Sequence, residues 1–379
     1  MKLVKKLTAI VLAAAMCIGF SATALADEVI IDADIAAGGP EVTGVTIVPD
    51  EELFPEPGAV FKVTVTPPAG RDGTVGDPVE VPVYKIQFTP EGEIKLETDP
   101  FNRNGSVSVW YGLPAKEASS GREAQEEKEL KVWGPEAVSG IRYAVEEDFS
   151  YGTYNGKYTD AEGKEVALDI TYRLFVPEGH EDEELPLVMV MHGSGESGND
   201  GQAHMIASKI ATCWADPSWQ KEHPCYVFAP QWPVSDVSND LELRDKYLAV
   251  YDEMLKAVKA DLKVSKTYLC TLSMGSRLGF RYLTLMPDSF DAALMCCGAI
   301  QNADLSNLSE KPVWLVHAIS DMVNNVAGSI EAYKQMRSAG NKNVKMTLIT
   351  DAGMFGVFNH ASWQQVMGNP LYMEWLFEQ

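Results

Sequence analysis

Tyr268-Leu-Cys-Thr-Leu-Ser-Met-Gly-Ser-Arg277 reads as a buried strand running into a helix, with a serine at the bend. Tyr268 to Leu272 is a short β-prone run that fits a buried parallel strand, and Leu278, Phe280, Tyr282, Leu283 and Leu285 follow with helical spacing. Ser273 falls at the junction. A serine hydroxyl is a poor nucleophile until a base takes its proton, and a tight strand-to-helix turn lifts the oxygen out of the sheet to where a histidine can reach it. The usual pattern for such a turn is G-x-S-x-G. Here it is Thr271-Leu-Ser273-Met-Gly275, with threonine in place of the first glycine. S-x-G recurs by chance, so the rest of the chain decides its meaning.

Outward from that stretch, strands alternate with helices from Val138 to the end. Leu168 to Val176 reads as an early antiparallel strand, and Leu187 to Met191 and Tyr226 to Ala229 as compact buried ones. Leu241 to Leu262 carries a helical period before the serine strand. Ala292 to Cys297, Val313 to Val316 and Val344 to Ile349 follow as strands, with helices over Ile330 to Met336 and Trp363 to Phe377. Alternation of this kind predicts a mainly parallel sheet with helices on both faces, a domain spanning 139–379. Residues 27–138 read differently. Val45 to Val48, Ala59 to Val65, Val83 to Phe88, Glu93 to Leu96, Val107 to Tyr111 and Leu130 to Trp133 are short alternating runs separated by proline and glycine turns. That spacing predicts an all-β, immunoglobulin-like sandwich. The charged stretch Glu117 to Glu129 reads as a solvated loop. All six histidines lie beyond this region, so it offers no base.

Three groupings around the sheet carry the chemistry. His192-Gly-Ser-Gly-Glu-Ser-Gly198 follows the strand ending at Met191 and is able to turn backbone N–H groups toward a substrate oxygen. The amides of Ser194 and Met274 would form an oxyanion hole there; an ordinary glycine-rich turn is the plainer reading. Asp321 closes Val313-Trp-Leu-Val-His-Ala-Ile-Ser-Asp321, on the loop after a buried strand, where a carboxylate orients an imidazole. Asp304 and Asp351 are its rivals. His360, between the last strand and the last helix, is the candidate base toward Ser273 and acid toward the leaving alcohol. Of the other histidines, His192 belongs to the glycine loop, His317 reads as a satisfied core residue, His204 as part of a surface helix, and His180 and His223 as loop residues. Serine, aspartate and histidine then occur in the chain order of the α/β-hydrolases.

Lys2, Lys5 and Lys6 precede the apolar run Leu7 to Phe20, and Ala24-Leu25-Ala26 ends in small residues, the pattern of a secretory signal cleaved after Ala26. No later stretch is apolar and long enough for a membrane span. The 54 acidic residues against 31 basic ones give a formal charge of −23, which argues against nucleic acid or an anionic membrane as partner. Beyond the signal five cysteines remain, too few by one for a complete set of disulfides. Cys270, Cys296 and Cys297 lie in apolar runs; Cys213 and Cys225 bracket a polar loop, and pairing or free thiols are both open for them. No spacing resembles a zinc site, and no metal is expected.

Residues from about 140 to the end resemble the polyhydroxybutyrate depolymerase-like and feruloyl-esterase-like α/β-hydrolases, carboxylesterases related to the prolyl oligopeptidase superfamily. The matching pieces are Tyr172-Arg-Leu-Phe-Val-Pro177, His192-Gly-Ser-Gly195, Ala229-Pro-Gln231, Leu272-Ser-Met-Gly275, Asp321 and His360-Ala-Ser-Trp363. An immunoglobulin-like domain ahead of the esterase domain is also similar to that group. The resemblance implies a secreted serine carboxylesterase using Ser273, Asp321 and His360 on a small or polymer-linked ester, with no cofactor. Gln231, Trp232 and Trp363 are the candidate substrate contacts, and Met354, Phe355, Val357 and Phe358 either line an acyl pocket or anchor the last helix. Thr271 and Ser276 depart from glycine at the elbow, and the threonine is expected to loosen the approach of strand and helix. A peptidase using the same triad, and a binding protein on an inactive hydrolase fold, are the alternatives.

Overall fold

The computed structural model describes residues 27–36, 39–70, 73–115, 126–143, 148–180, 182–235, 240–300, 303–350 and 359–379. The expected signal segment, most of the charged loop, Asp351 and the apolar residues 354–358 lie outside them. Two compact units result: the described part of Met1–Asp32 with Val42–Arg142, and Ala33–Glu41 with Tyr143–Gln379.

The smaller unit takes all or part of strands β1 (Glu28–Ala36), β2 (Gly39–Val48), β3 (Val60–Thr66), β4 (Val79–Val81), β5 (Val83–Phe88), β6 (Ile94–Thr98), β7 (Ser106–Leu113), β8 (Lys128–Trp133) and β9 (Val138–Tyr143), the end of β1, the start of β2 and the last residue of β9 belonging to the larger unit. They form a five-stranded sheet, β5-β6-β2-β1-β9, and a four-stranded sheet, β4-β3-β7-β8. The period-2 pattern explains the pairing. Phe61, Val63 and Val65 of β3 and Val107 and Val109 of β7 turn inward from one sheet, and Val45, Ile47, Ile94 and Leu96 from the other, into one shared core. Val29 and Ile31 of β1 belong to that core as well, a strand hidden from the sequence by its interleaved Asp32 and Asp34. Arg142 on β9 ties the sheet laterally, bonding Asp32 and the Thr46 hydroxyl, each at 2.8 Å.

The larger unit holds an eight-stranded sheet. Its strands are β10 (Ser150–Thr159), β11 (Glu165–Phe175), β12 (Leu185–Met191), β13 (Tyr226–Pro230), β14 (Val264–Leu272), β15 (Ala292–Cys296), β16 (Val313–Ala318) and β17 (Val344–Ile349). Their order is β10-β11-β13-β12-β14-β15-β16-β17; the β10/β11 and β11/β13 pairs are antiparallel and all later pairs parallel. Every residue of β13, β15 and β16 is buried, so the central sheet is covered on both faces, as parallel strands require. The cover comes from the crossovers. Short helices α1 (Ala203–Ile206), α2 (Thr212–Ala215) and α3 (Pro217–Glu222) follow β12, and α4 (Leu241–Ala260) follows β13. Then come α5 (Met274–Leu285), α6 (Ala327–Ser338) and α7 (Pro370–Phe377). The Asp240 carboxylate caps α4 by accepting from the Leu243 amide, and Tyr247, Leu248, Tyr251, Met254, Leu255 and Val258 make its buried stripe.

The C-terminal segment differs from the single helix expected over Trp363 to Phe377. A 3-10 turn, Ser362–Gln365, is followed by Gly368 at φ 83°, and the chain restarts at α7 with Asn369 as cap and Pro370 in the first turn. Proline fits the first turn, where its missing N–H has no acceptor to lose.

Candidate active site

Ser273 sits between β14 and α5 at φ 50°, ψ −117°, a region that costs a non-glycine residue about 1–3 kcal/mol. The surroundings enforce it. The Ser273 amide donates to the Cys296 carbonyl at 3.0 Å. A Cβ on Gly275 would lie 2.0 Å from the Met191 carbonyl oxygen, so α5 begins over the end of β12 at a separation only glycine permits.

Thr271 and Ser276 do not loosen this elbow; they stitch it. The Ser276 hydroxyl donates to the Cys296 carbonyl at 2.7 Å, which leaves the Thr271 hydroxyl to donate to Ser276 Oγ, also at 2.7 Å. Space for the serine comes from Gly298, where a Cβ would approach that of Ser276 to 2.3 Å. Both side chains are fully buried. Ser276→Ala therefore strands the buried Thr271 hydroxyl and leaves the Cys296 carbonyl with the Ser273 amide as its donor, and urea unfolding is expected to show a loss of about 1–3 kcal/mol. An unchanged unfolding midpoint would mean that the two hydroxyls contribute nothing to the elbow.

From the elbow a continuous hydrogen-bonded relay runs to β16. Ser273 Oγ lies 2.8 Å from His360 Nε2, and His360 Nδ1 lies 2.7 Å from Asp321 Oδ2. A carboxylate only accepts, so His360 carries its hydrogen on Nδ1 and turns the Nε2 lone pair to the serine O–H. The imidazole stands edge-on to Trp363, ring centroids 5.3 Å apart, and follows Asn359, which holds φ 57°. Asp321 is saturated: Oδ1 accepts from the amides of Val323 and Asn324 at 2.8 and 2.9 Å, and Oδ2 from His360 and, at 3.1 Å, from His317 Nε2. Burial pushes its carboxyl up, but the bonds from His317, His360 and the two amides outweigh burial and hold it far below the usual carboxylate range. Its rival Asp304 is exposed and accepts from the Ser306 amide at 2.9 Å.

The glycine loop is ordered from beneath. His192 Nε2 accepts from the Trp232 amide at 2.8 Å, so its hydrogen is on Nδ1, which donates to the Gly193 carbonyl at 2.6 Å. A Cβ on Gly193 would lie 3.5 Å from that of Ser273, which places this loop beside the nucleophile. Ser194 opens the 3-10 turn Ser194–Glu196, and Met274 opens α5. First-turn N–H groups have no intrahelical acceptor, so both amides are free of helical bonds next to Ser273.

Two of the expected substrate contacts are corrected. Gln231 is fully buried and spends its amide on the protein: Oε1 accepts from the Thr171 hydroxyl and Gly201 amide, and Nε2 donates to the Glu196 carbonyl and Asp200. Trp232 is fully buried too, stacked on Tyr251 with ring centroids 4.0 Å apart. Both brace the loop and neither reaches solvent. His204 also departs from expectation, being buried in α1 with Nε2 donating to the Ala229 carbonyl at 3.0 Å. Burial pushes its imidazole down to about 3, so it is neutral. Cys213 and Cys225 are free and buried, and burial raises both thiols to about 12. His317 is the buried, hydrogen-bonded core histidine expected on β16, and its bond to Asp321 is the part not anticipated; the spacing of four residues between them was the available signal.

Among the described residues no cluster of three or more His, Cys, Asp or Glu side chains is arranged to hold a metal ion, and no helix is long and apolar enough to cross a membrane. No family model matches the chain, and no curated protein matches it. Solved structures do. A thermostable esterase superposes with a TM-score of 0.71 at 23% identity, over 93% of this chain and 99% of that one. Est1E from Butyrivibrio proteoclasticus matches at a TM-score of 0.41 and 14% identity, over 59% of this chain and 98% of its own. Acylaminoacyl peptidase from Pyrococcus horikoshii matches at 0.43 and 12%, over 94% and 56%. The sheet order, the strained serine between β14 and α5, and the likeness over nearly the whole length of the first of these structures give this chain the α/β-hydrolase fold, preceded by a β-rich N-terminal region.

Proposed function

We propose that this protein is a serine carboxylesterase with Ser273 as nucleophile, His360 as general base and acid, and Asp321 as the group that orients the imidazole. The observation that carries the reading is the unbroken relay from Ser273 Oγ through His360 to a buried, saturated Asp321. His360 Nε2 takes the serine proton as Oγ attacks the ester carbonyl. The tetrahedral oxyanion is received by the amides of Ser194 and Met274. Collapse expels the alcohol, protonated by His360, and leaves the acyl-enzyme. Water then repeats the sequence and releases the acid, restoring the serine.

The same reading takes residues 1–26 as a signal cleaved after Ala26 and the protein as secreted. It takes 27–138 as an immunoglobulin-like domain and 139–379 as the catalytic domain, with specificity in the polyhydroxybutyrate depolymerase-like and feruloyl-esterase-like range. The exposed side chains of Ile319, Met322 and Val323 flank Asp321 and give that loop apolar surface, which favours esters with an apolar acyl or alcohol part.

The test is hydrolysis of p-nitrophenyl esters from acetate to octanoate by the protein without residues 1–26, together with labelling by an organophosphonate. Turnover with stoichiometric labelling of Ser273 is the expected result. Cleavage of peptides but not esters would transfer the relay to a peptidase, and no turnover with no labelling would remove it from catalysis altogether.

A further inference from the structure

We propose that His317 is a positioning residue of this relay that donates from both ring nitrogens, holding Asp321 between two imidazoles; the proposal rests on the esterase reading of Ser273, His360 and Asp321. His317 is fully buried on β16. Its Nε2 faces two atoms that can only accept, Asp321 Oδ2 at 3.1 Å and the Asn324 carbonyl at 3.0 Å, so Nε2 carries hydrogen. Its Nδ1 lies 2.7 Å from Ser329 Oγ. The serine has one hydrogen to give, and its Oγ is also in close contact with the Gly298 carbonyl oxygen, which has none. A carbonyl only accepts, so the Ser329 hydroxyl is the donor of that bond and its hydrogen is spent there. Ser329 therefore accepts from Nδ1, and an imidazole donating at both nitrogens is a cation.

A buried cation needs an anion, and Asp321 supplies it. Among the described residues, the other titratable groups that interact with Asp321 are His360, on the far side of the same carboxylate oxygen, and the Cys297 thiol, which burial keeps protonated. The hydrogen bonds also fix geometry. His317 grips the Asn324 carbonyl while the Asn324 side chain donates to the Cys297 carbonyl at 2.8 Å, so the loop that presents Asp321 is anchored to both β16 and the end of β15. The electrostatic consequence concerns the base. A positive His317 offsets part of the Asp321 charge that His360 feels, so it opposes protonation of His360 and keeps the base available at lower pH.

The proposal is tested on the wild-type protein and on His317→Gln. In protein labelled with 15N-histidine, both ring nitrogens of His317, assigned through couplings to its own Cβ, are expected to be protonated at pH 7. One bare nitrogen would overturn the doubly donating state. For His317→Gln, the acid limb of the pH profile of kcat/KM is expected to move upward by about one pH unit, since a charge next to the base is removed. Its plateau kcat is expected to fall about tenfold with KM little changed. A merely structural histidine would lower activity without moving the limb, and that outcome refutes the positioning role. If the variant does not fold, the nitrogen measurement decides alone. Absence of ester turnover in the wild type would sink the esterase reading while leaving the nitrogen result interpretable.

Discussion

Replacing Ser273 with alanine is expected to lower kcat/KM for p-nitrophenyl esters by roughly a thousandfold or more, with little change in folding stability. The expectation of a large kinetic effect follows from the relay. Ser273 Oγ is the atom His360 Nε2 addresses, and without it no covalent intermediate forms; only the binding and oxyanion contributions are left. The expectation of a small stability effect follows from the backbone. Alanine keeps the Cβ, so the strained φ of 50° and the bond from the residue 273 amide to the Cys296 carbonyl are unaffected. Steady-state kinetics beside urea unfolding separates the two quantities. Near-normal turnover would point to another nucleophile, and neighbouring Ser194 and Ser197 would then be replaced in turn.

Much of this site was legible from the chain because its local chemistry leaves local marks. Tyr268 to Leu272 and the helical period after Met274 gave the elbow, and Asp321 on the loop after a buried strand and His360 between the last strand and the last helix gave its candidate partners. What escaped depends on contacts between distant residues. Gln231 and Trp232 follow a strand end beside the glycine loop, as substrate contacts do, and their burial comes from Thr171, Gly201 and Tyr251 elsewhere in the sheet and its cover. Thr271 and Ser276 looked like losses of glycine. They form a compensated pair whose space is provided by Gly298, about two dozen residues on, which no reading of the elbow alone would reveal. In the smaller unit β1 was missed because Asp32 and Asp34 mask its alternation, although Asp32 is matched by Arg142 on β9.

Asp321→Asn is expected to cost on the order of 10⁴ in kcat, with KM nearly unchanged, because the carboxylate acts on His360 only once the imidazole takes the proton. The surroundings make the substitution harsher than a loss of charge. All four groups around Asp321 donate: two backbone amides, His317 Nε2 and His360 Nδ1. An asparagine NH₂ placed among them faces a donor whichever way the amide turns. It relaxes by driving His360 to the other tautomer, with hydrogen on Nε2 facing the serine, and that imidazole cannot act as base. A pH dependence of stability goes with it. Asp321 titrates far below the value near 4 expected unfolded, so its contribution is fully present above about pH 4 and is lost as pH falls through the folded value. The stability gap between wild type and Asp321→Asn, followed by circular dichroism from pH 7 down to pH 3, should therefore be widest at neutral pH and narrow on acidification. A gap that stays constant over that range would show that the four donors do not hold the carboxylate ionised, and the relay would lose the fixed charge on which its orientation of His360 depends.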